Sequence, residues 1–353
     1  MRPTLVSAAA LPLLLALAAP ARAQSDSPWA ARTSGTTAEL RGLSVVDRRV
    51  AWASGTGGRV LRTTDGGTTW RVDSIPGASA LDLRAIHALD ARRAWAISAG
   101  PAEEGQAHIY RTVNGGATWT EQWSTTEKGV FLDAIAFWDA RHGIAMSDPV
   151  DGRFYLLTTS DGGATWTRVP SERIPPTLSG EAAFAASGSC LVIQGGSNAW
   201  IGTGGGTTAR VFRTTDRGRT WTVAATPVVA GAASAGIFSL AFRDARHGVA
   251  VGGDYQKPRT ASDNVALTDD GGRTWRPARG PLPAGYMSAV SFVPGAPTTL
   301  VAVGLAGTAL SRDRGESWTM VDTTALNSVR FVAGRGIAVG PRGRVASWRP
   351  GVK

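Results

Sequence analysis

Cysteine is almost absent from this chain, with Cys190 the single one among 353 residues. One cysteine excludes an intramolecular disulfide, and the four histidines form no cysteine and histidine set at zinc-binding spacing. Cys190 begins the apolar run 190–193 and has no base or cation beside it, so we expect a buried strand residue rather than a nucleophile. We expect no metal and no cofactor, since no phosphate-binding glycine loop precedes a helix.

Lysine is nearly as scarce as cysteine, because only Lys128, Lys257 and Lys353 stand among 37 lysines and arginines. The formal net charge is +10, and removal of Arg2 and Arg22 with the leader described below leaves +8. A positive charge made mostly of arginine favours acidic protein segments, anionic glycans or phospholipid as partners. Nucleic acid is not expected, because the chain carries an export signal and no nucleic-acid-binding motif.

No apolar run long enough to span a membrane follows residue 23, so we expect no transmembrane segment. Residues 1–23 have the pattern of a secretory signal peptide, with Arg2, an apolar run over 5–19 and a small-x-small cleavage site at 21–23. We therefore expect an exported protein, periplasmic or secreted. Residues 24–353 should form one domain, and we expect a monomer.

Glycine, at 44 residues, and tryptophan, at 13, are abundant, and both follow a repeat. An eight-residue box of the form Ser/Thr-x-Asp-x-Gly-x-Ser/Thr-Trp occurs six times, with Asn114 in place of the aspartate once. The boxes are residues 63–70, 112–119, 159–166, 214–221, 268–275 and 311–318. Their third residues lie 43 to 55 positions apart, which is about the length of a four-stranded propeller blade.

The residue types of the box suit a tight turn better than a reaction. An aspartate or asparagine accepts hydrogen bonds from backbone amides across the turn, and glycine adopts a positive φ without strain. The tryptophan then anchors the turn in apolar packing. We expect the box aspartates to be structural.

Seven apolar segments can serve as the first strands of seven repeated units. They are residues 42–45, 85–88, 134–137, 182–185, 239–242, 289–292 and 328–331. The seventh unit ends before a fourth strand, whereas Trp29 and its neighbours resemble the residues that follow a box. The sequence thus predicts an all-β, seven-bladed β-propeller of four-stranded blades, in which residues 28–34 supply the outer strand of the last blade and close the ring.

In such blades the start of the first strand, the end of the second and the start of the third lie on one face, and the boxes lie on the other. We expect a ligand or partner at the channel mouth on the face away from the boxes. The candidate binding residues are Arg41, Arg84, Asp133 and Glu181, placed just before first strands, and Asp148, Arg153, Asp254, Tyr255, Arg59, Arg210 and Arg344 around them. A second interpretation is that these arginines and carboxylates pair with one another on a solvated rim.

The boxes resemble the Asp boxes of the sialidase and BNR-repeat superfamily. The whole mature chain, with its leader and seven units, resembles the Ycf48-like group of photosystem II assembly factors. That resemblance implies a non-enzymatic binding or assembly propeller that engages a protein or anionic glycan through an arginine-rich face. Arg41, Arg84, Arg59, Arg210 and Arg344 could supply that face here, and the client is not implied.

The alternative function is a sialidase-like glycoside hydrolase. Asp133, Glu181 and Tyr255 have the residue types of an acid/base and a nucleophile pair, and two carboxylates can run glycosidic chemistry. Sialidases, however, carry a Phe/Tyr-Arg-Ile-Pro motif before their first box. The Arg-Ile-Pro of this chain, residues 173–175, follows the third box and is preceded by Glu172. We therefore expect no catalytic residues.

Overall fold

The computed structural model describes residues 27–349, so the predicted signal peptide lies outside the described residues. The strands of the described part are, in chain order, β1 (Trp29–Arg32), β2 (Leu40–Val45), β3 (Ala51–Gly55), β4 (Arg59–Thr63), β5 (Arg71–Ser74), β6 (Ala85–Ala88), β7 (Ala94–Ile97), β8 (Ala107–Thr112), β9 (Thr120–Thr125), β10 (Leu132–Phe137), β11 (Gly143–Val150), β12 (Arg153–Thr159), β13 (Thr167–Arg168), β14 (Leu191–Gln194), β15 (Asn198–Gly202), β16 (Arg210–Thr214), β17 (Thr222–Ala225), β18 (Ala235–Phe242), β19 (Gly248–Asp254), β20 (Val265–Thr268), β21 (Arg276–Pro277), β22 (Ala289–Val293), β23 (Ala296–Gly304), β24 (Gly307–Ser311), β25 (Thr319–Asp322), β26 (Ser328–Val332), β27 (Arg335–Gly340) and β28 (Arg344–Trp348). Short 3-10 helices span Ala102–Glu104 and Ser171–Arg173.

These strands form seven antiparallel four-stranded sheets within residues 27–349, which we call blades one to seven. Blade one is β2–β5, and each following blade takes the next four strands, up to β22–β25 in blade six. Blade seven contains β26, β27 and β28, with β1 as its outer strand. The predicted all-β seven-bladed propeller is confirmed. No helix among the described residues is long and apolar enough to cross a membrane.

The first and last strands of the described chain close the ring. β1 pairs antiparallel with β28, and Trp29 lies opposite Trp348. The two indole rings meet edge to face at 4.9 Å between centroids. The indole N–H of Trp29 also donates to Thr308 Oγ1 of blade six, 2.9 Å away. The predicted N-terminal outer strand therefore joins blade seven and packs against its neighbour as well.

Each box is a turn between the third and fourth strands of a blade. In the first, Asp65 Oδ1 accepts from the backbone amides of Thr68 and Thr69, and Asp65 Oδ2 accepts from the Thr69 hydroxyl at 2.6 Å. Gly66 and Gly67 have φ values of 76° and 83°, which only glycine adopts readily. Trp70 packs with apolar residues of blades one and seven. The box thus holds its own turn and fills the space between two blades.

The predicted first strand of the fourth unit, residues 182–185, is wrong. The inner strand of blade four is β14, whose Leu191 pairs with Ile201 of β15. Ala182 instead forms an isolated antiparallel bridge to Gly204, two residues past the end of β15. The apolar pattern of residues 182–185 fits a strand, but these residues begin an inserted segment that enters the channel instead.

We call residues 182–189 the plug, because they cross the channel. Phe184 stacks on Phe238 of blade five with ring centroids 3.9 Å apart. Ser187 donates to the Ser288 carbonyl of blade six at 2.8 Å. A Cβ on Gly188 would lie only 2.9 Å from the Ala85 side chain of blade two, so this position requires glycine. The plug therefore contacts three blades besides its own and divides the channel into two cavities.

Ring closure can be tested with Trp29→Ala. The substitution removes a buried indole, its edge-to-face contact with Trp348 and its hydrogen bond to Thr308. We expect a loss of about 3–5 kcal/mol in the free energy of unfolding, measured by denaturant titration. Ala31→Ser, on an exposed position of the same strand, is the control and should change stability by less than about 0.5 kcal/mol. Equal stability of the Trp29 variant and the parent would contradict this role of β1.

Candidate functional site: the channel mouth

A four-residue pattern begins the inner strand of six blades: Leu/Ile/Met, any residue, a small residue, then Leu/Ile/Val. The first residue of the pattern is fully buried in every case, at Leu40, Leu83, Leu132, Ile237, Met287 and Leu326. The second residue is Arg41, Arg84, Asp133, Phe238, Ser288 or Asn327. Blade four departs from the pattern because the plug enters there.

Three of these second residues occupy β-bulges. The register of the inner strand shifts at Arg41 in β2, at Asp133 in β10 and at Phe238 in β18. A bulge inserts one residue without a partner and changes the direction of its side chain. Arg41, Asp133 and Phe238 all line a single cavity at the channel mouth, together with Arg84. The bulges therefore bring residues from separate blades to one site.

This cavity, the mouth pocket, has a volume of about 460 Å³. It contains five of the predicted candidates, namely Arg41, Arg84, Asp133, Asp148 and Tyr255. The other lining residues are Glu39, Phe131, residues 182–186 of the plug, Ala233, Phe238, Tyr286, Leu305 and Asn327. A pocket of this size, with mixed apolar and charged walls, is typical of ligand sites.

Aromatic rings form the apolar part of the pocket. Tyr286 meets Phe238 edge to face at 4.6 Å, and Phe238 in turn stacks on Phe184 of the plug. Tyr255 stands at the pocket with its ring centroid 6.1 Å from that of Phe238 and is 45% exposed. Tyr255 is thus one of the few large apolar side chains that the described chain leaves open to solvent.

The two mouth arginines are each bound to a carboxylate two positions earlier. Arg41 Nη2 lies 2.5 Å from Glu39 Oε1, and Arg84 Nε lies 2.7 Å from Asp82 Oδ2. All four side chains are partly exposed, so the ion pairs are screened by water and weak. The Nη groups of Arg84 have no protein acceptor in the described part of the chain. Both arginines therefore keep donors for a further anion.

The acidic residues of the pocket include one carboxylate that has no hydrogen-bond partner in the described chain. Asp133 is 1% exposed, and neither of its carboxylate oxygens has a hydrogen-bond partner in residues 27–349. Asp148 Oδ1 accepts from the Ala183 amide of the plug at 2.8 Å. Burial raises the pKa of Asp133 well above its usual range, helped by the charge of Asp148, and burial raises the pKa of Asp148 to about 6.

Glu181 does not have the position expected for it. The inner strand begins ten residues later, and the Glu181 side chain is buried in an ion pair with Arg210. Glu181 Oε1 also accepts from Thr203 Oγ1 at 2.6 Å, and its other oxygen accepts from the Leu178 amide at 2.8 Å. Glu181 and Arg210 therefore hold the base of the plug segment and are absent from the lining of the mouth pocket.

The remaining candidates surround the mouth but contact their own blades or loops. Arg59 donates to Ser74 Oγ at 2.6 Å, Arg153 to the Ile174 carbonyl, and Arg344 to the Ala325 carbonyl at 2.8 Å. Asp254 accepts from the Gln256 amide at 3.0 Å. None of these four lines the mouth pocket as the structure describes it.

Sequence reasoning missed several residues of the site. Glu39 and Asp82 were not considered, although Glu-Leu-Arg at 39–41 and Asp-Leu-Arg at 82–84 repeat an acid two positions before an arginine. In a strand such residues lie on the same side, so the ion pairs could have been predicted from this spacing. Phe184 and Tyr286 carried no comparable signal, because Phe184 belongs to the plug and Tyr286 lies in the loop before β22.

Solved structures resemble the fold over most of its length. A structure of YCF48 bound to a D1 peptide has a TM-score of 0.60 and 14% sequence identity, covering 93% of this chain and 99% of the other. YCF48 from Cyanidioschyzon merolae has a TM-score of 0.64 and 16% identity, covering 91% and 99%. At these identities the likeness shows the propeller fold alone. No protein-family model matches the chain, and no curated protein sequence matches it.

The buried acids make stability depend on pH in a defined direction. Because the folded pKa of Asp133 and Asp148 is raised, their favourable contribution is complete below an unfolded pKa of about 4 and is lost as pH rises through the folded values. Asp133→Asn removes one of these groups. We expect its thermal midpoint, relative to the parent, to increase between pH 4.5 and 7.5 in scanning calorimetry.

Asp270→Asn is the matched control for this measurement. The hydrogen bonds of its box lower the pKa of Asp270 to about 2, so its carboxylate is charged in both folded and unfolded chains across that pH range. The midpoint difference for Asp270→Asn should therefore stay constant from pH 4.5 to 7.5. A constant difference for Asp133→Asn as well would show that the pKa of Asp133 is not raised in the folded protein.

Proposed function

We propose that the protein is an exported, non-enzymatic propeller that acts as a binding or assembly scaffold and holds a segment of a partner protein at the mouth pocket. The observation that carries this proposal is the pocket itself, a cavity of about 460 Å³ with aromatic walls and a plugged floor. The volume fits a few side chains of an extended segment rather than a folded domain. Buried aromatic rings are frequent anchors at protein interfaces.

The arginines of the mouth favour an acidic segment. Arg41 and Arg84 are partly exposed, and each uses only part of its guanidinium for its internal carboxylate. A guanidinium has five donors and binds carboxylates in a two-point geometry, so a partner's carboxylate can share each arginine. An anionic glycan would meet the same donors, although the aromatic walls suit apolar side chains of a peptide better.

The structural likeness adds independent support for a peptide ligand. One of the similar solved propellers, YCF48, has a D1 peptide bound. A propeller of this fold can therefore take a peptide. We infer the class of partner from this likeness, and not its identity, because only 14% of the aligned residues are identical.

A glycoside hydrolase is less well supported by the contacts. The hydrolase alternative would use Asp133, Glu181 and Tyr255, of which Asp133 and Tyr255 line the mouth pocket. Glu181 is held by Arg210 and Thr203 instead, and it would have to leave both to act on a substrate in the pocket. A binding function requires no such rearrangement.

The binding proposal predicts a loss of affinity on charge reversal at the mouth. Peptides selected by the purified protein from a library of acidic ten-residue sequences should bind Arg41→Glu and Arg84→Glu at least about tenfold more weakly, by fluorescence anisotropy. The mutations add negative charge where the peptide's carboxylates would lie. Binding should also weaken as salt is raised, since the arginines are partly exposed.

Arg92→Glu and Arg219→Glu are the matched controls, because they make the same charge change at exposed positions on the box face. Both should bind the selected peptides as the parent does. Equal weakening in all four variants would mean that overall charge, and not the mouth pocket, governs binding. Turnover of sialosides or other fluorogenic glycosides that disappears in Asp133→Asn would replace the binding proposal with the hydrolase.

A further inference from the structure

The plug separates the mouth pocket from a second cavity, which we call the lower channel. Its volume is about 590 Å³, and its lining includes Ser187 and Gly188 of the plug. Pro294 and Gly295, in the hairpin between β22 and β23, line it toward the box face. None of the predicted site residues lies in this cavity, so it is distinct from the proposed peptide site.

One layer of the lower channel consists of equivalent residues from the seven inner strands. Each member pairs with a second-strand residue that pairs in turn with the third-strand position just before the box, or its equivalent in blade seven, as Ser44 pairs with Trp52 and Trp52 with Arg62. The seven members, in blade order, are Ser44, His87, Ala136, Val192, Ala241, Ser291 and Arg330. All seven line the cavity.

The polar members of this layer are contiguous around the ring. Ser291, Arg330, Ser44 and His87 come from blades six, seven, one and two, which are neighbours because the ring closes between seven and one. The members from blades three, four and five are alanine, valine and alanine. The layer is therefore polar on one side of the channel and apolar on the other.

Arg330 brings a positive charge into this cavity without a compensating acid. The lining of the lower channel contains no aspartate or glutamate among the described residues. Within residues 27–349 the Arg330 side chain donates to the Val329 carbonyl alone, at 3.3 Å. Burial lowers the pKa of Arg330 to about 10, with no carboxylate opposing it. Arg330 is half-buried in the channel wall, and its guanidinium keeps donors that can bind an anion entering the cavity.

The neighbours of Arg330 add hydrogen-bond donors. Ser44 Oγ accepts from the Ala88 amide at 3.0 Å, which leaves its hydroxyl proton without a partner in the described chain. Burial and the charge of Arg330 lower the pKa of His87 to about 4, so at neutral pH its imidazole is uncharged and has one N–H to donate. The second basic side chain of the lining, Arg243, is paired with Asp244 at 3.3 Å.

We propose that the lower channel is an anion site, in which the Arg330 guanidinium, the Ser44 hydroxyl and the His87 imidazole hold the carboxylate or phosphate group of a small molecule. Arginine binds either oxyanion in a two-point geometry. The cavity is larger than a phosphate ion, and its apolar side, with Ala136, Val192 and Ala241, would contact the rest of the molecule. This site does not depend on the peptide proposal, because the plug lies between them.

The pKa of His87 reports directly on an anion beside Arg330. The experiment is an NMR titration of the four histidine imidazoles in the full mature protein, in sulfate and in chloride at equal ionic strength. Sulfate serves as the probe because its charge is constant over the titration. We expect sulfate to raise the pKa of His87 by about one unit or more, since an anion within about 4–6 Å favours the imidazolium. His142, in a box-face turn, is the control, and its imidazole chemical shifts should be the same in the two salts.

Two variants of Arg330 make the result decisive. Arg330→Gln should raise the pKa of His87 in chloride, because a repelling charge is lost, and should abolish the response to sulfate. Arg330→Lys keeps the charge and should keep a smaller response, and it serves if the glutamine variant does not fold. Arg92→Gln, which removes an exposed arginine on the box face, should respond as the parent does. A His87 pKa equal in sulfate and chloride, or a response that persists in Arg330→Gln, would overturn the proposal.

Thermal midpoints at neutral pH then distinguish the two oxyanions. Inorganic phosphate and acetate, each compared with chloride at equal ionic strength, should raise the midpoint of the parent according to their affinity. A larger increase with phosphate assigns a phosphate ligand, and a larger increase with acetate assigns a carboxylate. No increase with either anion, or the same increase in Arg330→Gln, would contradict the site.

Discussion

Closure of the ring by β1 and β28 is the constraint on which both sites depend. The channel exists only because seven blades meet around one axis, and blade seven is complete only when β1 pairs along β28 from Trp29 to Arg32. Closure also makes blades seven and one neighbours, which places Arg330 next to Ser44 in the lower channel. An open sheet edge at this position would expose backbone donors and acceptors and separate these residues.

Much of the fold could be predicted from the sequence, because each blade is built from the same local elements, four short strands and a box. The spacing of the boxes determined the blade length, and the resemblance of Trp29 to residues after a box located the closing strand. The inner strand of blade four was predicted wrongly for the same reason. Residues 182–185 match the apolar pattern of an inner strand as well as β14 does, and a local pattern cannot show that an insertion has displaced the strand by one segment.

The candidate site was predicted only in part, because sequence positions specify a face but not the pairing of charges on it. Five of the predicted residues line the mouth pocket. Arg41 and Arg84, however, are bound to Glu39 and Asp82, which were not among the candidates. The arginines therefore reach the mouth as paired charges, although both guanidinium groups keep free donors in the described chain. An uncompensated positive charge lies instead in the lower channel, which contains none of the candidates at the rim.

Function is best sought where the repeat is broken, and blade four shows why. Six blades begin their inner strand with a fully buried leucine, isoleucine or methionine, a consistency that serves the fold. The plug of blade four interrupts this pattern. Its Phe184 forms an aromatic wall of the mouth pocket, and its Ala183 amide donates to Asp148. Its Ser187 and Gly188 line the lower channel. Without this insertion the two cavities would be one open channel, with Arg330 and Asp133 exposed to the same solvent. The plug thus creates two separate environments, one with the unsatisfied acid Asp133 and one with Arg330, which no lining acid neutralises.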